Sequence, residues 1–394
     1  MLAITGGRVL TISRGEIEGG TVLVDGDKIL AVGHGIGIPS EAVVVDATGK
    51  YVLPGLVDAH THVGIAEEAQ GWAGLDVNEM TDPTTPHLRA IDAINPEDLG
   101  FRDALSGGVT TVMVAPGSAN IIGGEVAVVK CYGRTIDQMV LRQPAGLKAA
   151  LGENPKRIYG DQKKSPSTRM ASAAMLRDQL VKAQNYADRL ACREEGKPLE
   201  RDLRMEAIAR VLRREIPLRL HAHRADDIVT AIRIQEEFGF LMTIEHATEA
   251  FKVAGELAKR NIPAMVGPIM SSRTKVELRD RTMRAPGLLA RAGVKVSLIT
   301  DHWVVPVHLL MLSAILAVRE GMEASEALRA VTLNPAEAMG IADRVGSLDA
   351  GKDADLQILS GHPLDAMSRV EKVYVGGELA YDYRAGDEQR RHWE

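Results

Sequence analysis

Apolar and polar positions change rhythm twice along this 394-residue chain. Through residues 1–50 the apolar positions come in short alternating or clustered runs: "LAITGGRVLT", "GTVLVDGDKILAVG" and "AVVVDATGKYV". β-Branched residues dominate these runs and Gly and Asp break them, with "VDGDKI" carrying a hairpin signal. The last fifty positions read alike: "DADLQILSG" and "EKVYVGGELAYD" predict strands, with a turn at Gly376-Gly377. Two β-rich ends around a different middle predict a small β-sandwich domain made of both termini, residues 1–50 with 345–394.

Residues 51–344 alternate short apolar runs with long helical patterns. The runs are "TTVMVAP" (110–116), "GLKAALG" (146–152), "PLRLHAH" (217–223), "LMTIEHA" (241–247), "IPAMVGP" (262–268) and "VKVSLITD" (294–301). Between them lie patterns such as "MASAAMLRDQLVKAQNYADRLACREEG" and "AFKVAGELAKRN". Such alternation predicts parallel βα units. Nearly continuous apolar strands fit a sheet covered on both faces. About eight such units make an α/β fold of the (β/α)8 TIM-like barrel type. An open doubly wound sheet more often shows a glycine-rich phosphate loop, and no GxGxxG or Walker-type loop occurs here. The polar, basic stretch 153–175 reads as a long loop at the barrel mouth, or as a plain solvated connection. "APGSANIIGGEVAVVK" reads as a small-residue loop after the second strand, for substrate or for a tight connection.

Composition narrows the class without naming it. An apolar share of 45% and a charged share of 25% are ordinary for a globular protein, and the length fits one or two domains. A net charge of −6 without a long basic run argues against nucleic acid as a partner. The apolar runs fall far short of the roughly 18 residues of a membrane span, and "MLAITGGRVLTISRG" lacks the pattern of a signal peptide. Cys131 and Cys192 are the only cysteines, which predicts a reducing, cytoplasmic setting.

Chemistry concentrates where the apolar runs end. His60 and His62 follow "LPGLVDA", His221 and His223 follow "IPLRL", His246 follows "LMTIE", and Asp301 follows "VKVSLIT". All strand C-termini of a parallel barrel face one mouth, so these side chains converge there. Residues i and i+2 of a strand share a face, which lets His60 and His62 act together. Imidazoles with a carboxylate suit a divalent metal, zinc first among them. Such a site keeps a position open for water, whose pKa the metal lowers towards about 7. Asp301 is placed both to ligate and to take the water's proton. Arg224 and Arg273 are arginines able to hold a substrate carboxylate.

The ordered set "PGLVDAHTH", "LHAHR", "IEHAT", "TDH", "TLNPAEAMGI", "GSLDAGKDADLQIL" and "VEKVYVGGEL" resembles the metal-dependent amidohydrolase superfamily over the whole chain, in its imidazolonepropionase-related subgroup. The resemblance implies a hydrolase of a carbon–nitrogen bond in a small amide or peptide-like substrate. A cyclic-amide ring opener or a deaminase is the alternative, and a non-catalytic interaction module a more distant one. It implies His60, His62, His221, His246 and Asp301 as metal ligands and Asp301 as the catalytic proton shuttle, with His223 and Arg224 toward substrate. One or two metal ions fit, depending on the fourth strand. Lys148 resembles a carboxylated lysine ligand and Glu153 a glutamate ligand, with Lys130 a weaker candidate. Homo-oligomers are common in the family, which leaves that state open here.

Overall fold

The computed structural model describes residues 1–192 and 200–385. The end of the long helical pattern before residue 200, and the last nine positions of the expected 345–394 segment, lie outside the described residues. Among the described residues, sixteen strands form two sheets. The first sheet holds β1 (Leu2–Leu10), β2 (Glu16–Asp25), β3 (Lys28–Gly33), β4 (Val43–Asp46) and β5 (Tyr51–Pro54). The second holds β6 (Leu56–Thr61), β7 (Val109–Val114), β8 (Ile122–Lys130), β9 (Val140–Ala150), β10 (Leu218–Ala222), β11 (Met242–His246), β12 (Ala264–Val266) and β13 (Val296–Leu298). Then β14 (Leu356–Leu359), β15 (Val370–Val375) and β16 (Glu378–Asp382) return to the first.

The terminal sheet runs β16-β15-β14-β5-β1-β2-β3, with β4 also on β1. Leu2–Thr5 pair with β4, whereas Arg8 and Val9 pair with β5. The partner changes at Gly6-Gly7, where Gly6 takes a φ of +76° that a side chain would strain. The sheet forks there around a core that includes Ile4, Val22, Ile29, Val52, Leu356 and Ile358. Antiparallel pairing of β5 with β14 joins the two chain ends.

The second sheet runs β6 to β13 in order and closes at its rim through a Thr61–His302 bridge. Leu218, Leu220 and Ala222 of β10 belong to the layer shared with helices Arg169–Ala191 and Ala225–Phe238. Arg219 and His221 between them point inward, as strand alternation requires. The helix Leu333–Met339 packs against Val57, Ala59, Met113 and Val128.

Two local expectations change. The small-residue stretch after β7 is not a loop throughout, because Ile122–Lys130 is a barrel strand antiparallel to both β7 and β9. Its apolar second half, Val126–Val129, supplied the signal, and the glycines before it hid the strand. Within 153–175, Glu153–Asp161 is a helix, although its composition is polar. Pro155 and Tyr159 are its buried residues, and its first amide is capped from outside by Glu277. No helix among the described residues is long and apolar enough to cross a membrane.

Candidate metal centre

The strand ends meet at the barrel mouth. The ligand atoms of His60, His62 and Asp301 lie within 4.8 Å of one another, as do those of His221, His223 and His246. The His221 and His246 rings stand 4.3 Å apart and the His60 and His246 rings 4.8 Å, so the two groups adjoin. Local backbone irregularity aims these side chains. β6 shifts register against β7 between Asp58 and Thr61. His246 and Asp301 take left-handed φ values of +69° and +54°. Such conformations cost of order 1–3 kcal/mol and persist where the surroundings impose them. The turn at His246 lets it and its neighbour Glu245 both reach His60.

Every histidine of the cluster has its Nδ1 tied to an oxygen. His62 donates to the Ala115 carbonyl at 2.7 Å, His246 to the Gly267 carbonyl at 3.1 Å, and His60 to Glu245 at 2.8 Å. Nδ1 of His221 meets the Ser118 hydroxyl at 2.8 Å, and Nδ1 of His223 meets that of Thr248 at 2.8 Å. A carbonyl only accepts, so His62 and His246 carry their proton on Nδ1 and present a lone pair on Nε2. Nε2 of His246 is buried without a hydrogen-bond partner. Asp301 Oδ1 lies 3.2 Å from His62 Nε2 and 3.6 Å from His60 Nε2. Acceptors facing acceptors at such distances need a cation between them. One proton serves one ring, whereas a divalent ion serves them all, and the nitrogen-rich donor set fits such an ion.

The charge states agree with that fit. Burial pushes His60, His221 and His223 below the usual histidine range and His246 down to about 3, leaving neutral donors. Burial opposes ionisation of Asp301, but His246, His62 and His60 hold its carboxyl well below the carboxylate range.

Beneath the rim lies a second buried layer. Lys148 is fully buried, its Nζ 3.4 Å from His60 Nε2, and burial pulls it down to about 8. Glu245 accepts from His60 and from Thr243 at 2.5 Å. Burial raises its pKa, but His60 and the buried Arg219 overcome this and bring it to about 2. Arg219 donates to Thr243 and to the Ala145 and Ala338 carbonyls. Asp58 accepts from the His60 amide at 3.1 Å and the Thr300 hydroxyl at 2.5 Å, clasping the first and last barrel strands. Burial raises it to about 7. Glu245 and Arg219 escape a reading of the sequence because each sits inside an apolar run close before a more conspicuous histidine, Glu245 next to His246 and Arg219 two positions ahead of His221.

The remaining candidates lie around the mouth. Glu153 begins its helix after Gly152, whose φ is +88° and whose Cβ would stand 2.4 Å from Glu277 Oε1. Glu153 belongs to neither ligand group. Its charge bears on Lys275 and Glu277. His223, expected toward substrate, joins the group of His221 and His246. Arg224 is engaged in two bonds to Asp226, at 2.9 and 2.7 Å. Arg273 donates to the Arg279 and Arg281 carbonyls. Trp303 is half-exposed beside His62, ring centroids 5.7 Å apart. Lys130 stands at the other end of the barrel, paired with Asp353 at 2.8 Å and Asp355 at 2.9 Å, because β8 runs in reverse.

Residues 51–380 match the sequence pattern described as the amidohydrolase family. The chain belongs to the amidohydrolase family. It is a metal-dependent hydrolase acting on carbon–nitrogen bonds. This amidohydrolase is 46% identical to an amidohydrolase from Thermotoga maritima MSB8 of known structure, covering 97% of this chain and 100% of that one, with a TM-score of 0.94. It is 29% identical to amidohydrolase tasK of Hapsidospora irregularis over 88% of this chain, but spans only 38% of that relative's length. It is 24% identical to the imidazolonepropionase of Rhizobium meliloti (strain 1021), over 93% of this chain and 92% of that one.

Proposed function

We propose that this amidohydrolase cleaves an amide or peptide-like carbon–nitrogen bond of a small substrate at the barrel mouth, with Asp301 as proton shuttle and zinc as the metal. The observation that carries the reading is the set of buried histidines with Nδ1 tied outward, facing the Asp301 carboxylate. His60, His62, His221 and His246 with Asp301 would hold the ion. Lys148 supports a second ion if it is carboxylated, and its lowered pKa favours the neutral amine that adds carbon dioxide. A bound divalent ion supplies Lewis acidity and lowers the pKa of water towards about 7. Asp301 then takes the proton of the attacking water and passes it to the departing nitrogen. The half-exposed Trp303 walls the same opening. Two free cysteines, Cys131 and Cys192, fit the cytoplasmic setting read from the sequence.

Ring opening of a cyclic amide is the second reading, favoured by the full-length likeness to imidazolonepropionase. A substrate screen that measures ammonia and ring absorbance separately tells ring opening, deamination and peptide cleavage apart. Chelator-stripped protein is expected to lose turnover and regain it with zinc or manganese. Full turnover by metal-free protein would overturn the proposal.

A further inference from the structure

We infer that the substrate carries a carboxylate close to the scissile bond, bound by Lys275 and placed by Asn154; this rests on the hydrolytic reading above. Lys275 lies in the loop that leaves the C-terminal end of β12, so it overhangs the mouth. Its Nζ donates to Asn154 Oδ1 at 2.9 Å and pairs with Glu277 Oε2 at 3.4 Å. An ammonium has three N–H donors, so these two partners leave one for a ligand. The side chain is only 15% exposed, and Glu277 behind it is buried, so the cation is fixed in place.

The other end of the Asn154 amide reaches the histidines, with Nδ2 3.5 Å from His221 Nε2. One amide group therefore spans the gap between the ammonium and the metal cluster, a path of at most about 9 Å. In an N-acyl amino acid, the acyl carbon and the carboxylate carbon are separated by roughly 4 Å. A charge-assisted hydrogen bond adds about 2.8 Å. An acyl group at the histidines thus puts its carboxylate within reach of Lys275. The charge of Lys275 also bears on His221, His223, His246 and Asp301, as it must if it faces the same space. The neighbouring arginines are engaged elsewhere: Arg224 with Asp226, Arg273 with backbone carbonyls, and Arg169 with Asp227 and Glu277.

The test uses zinc-loaded full-length protein with paired probes, N-acetyl-L-leucine and N-acetyl-L-leucinamide, followed by turnover and by calorimetric binding. Wild type is expected to favour the acid over the amide by at least tenfold. Lys275→Met and Asn154→Asp, the second placing a carboxylate beside the ammonium, should each cut that ratio about tenfold or more. The loss should fall mainly on KM, and Lys275→Arg should restore part of it. Thermal midpoints near that of wild type exclude unfolding as the cause. Equal handling of acid and amide by wild type, a ratio untouched by both variants, or no binding of the acid overturns the assignment. Turnover without acid preference leaves hydrolysis standing and removes the subsite. Lys275-dependent binding of the acid without turnover does the reverse.

Discussion

His60 Nδ1 lies 2.8 Å from Glu245 Oε2, with both side chains fully buried. The carboxylate fixes the imidazole proton on Nδ1 and makes Nε2 a better donor. Glu245→Gln is expected to weaken metal binding about 10–100-fold, measured by competition with a chelating dye. Glu245→Ala also removes the carboxylate whose charge compensates the buried Arg219 and should lower stability in denaturant unfolding. Metal affinity equal to wild type in both variants would refute the role.

Asp301→Asn tests the proton shuttle. Turnover is expected to fall by roughly 10²–10⁴, while elemental analysis still finds bound metal because the histidines remain. Retention of full turnover would assign the proton transfer to another group.

Lys148 and Glu153 make opposite predictions about the fourth-strand ligand. Lys148→Met should lower the metal content and remove any stimulation by bicarbonate, because Lys148 lies against His60. Glu153→Gln should leave metal content near wild type, because its surroundings are Lys275 and Glu277. Loss of metal in the Glu153 variant alone would reverse the assignment.

How much the sequence could disclose follows from what each residue leaves on its neighbours. His60, His62, His221, His246 and Asp301 were legible because each ends an apolar run, and parallel strands bring such ends together. Glu245 was not, because strand alternation sends adjacent residues to opposite faces, and only the left-handed φ at His246 overrides that. β8 was obscured by the glycines at its start and by its reversed direction, which βα periodicity does not foresee. Lys275 sits in a polar loop and looks like any solvated lysine until its partners are seen. The β-rich ends read correctly as strands, since alternation survives in short antiparallel runs.

Asp353 ties the terminal sheet to the barrel through Lys28, Lys130 and Arg344. Burial raises its pKa, but those three cations bring it to about 2, below the ordinary 3.8. A depressed carboxyl stabilises the fold above its unfolded pKa and loses that contribution as the pH falls through the folded one. Asp353→Asn should therefore cost about 2 kcal/mol above pH 4, with the deficit fading towards pH 2. Thermal unfolding of both proteins across that range checks it, and a deficit that does not change with pH would exclude an ionic cause.

The clasp of Asp58 on Thr300 joins residues 242 positions apart. A ribosome adding roughly 5–20 residues per second needs about 10–50 s to make the intervening chain. For that time the first barrel strand exists without its last neighbour, and His60 and His62 without Asp301. The complete set of proposed metal ligands therefore exists only after residue 301 has been added and the barrel can close.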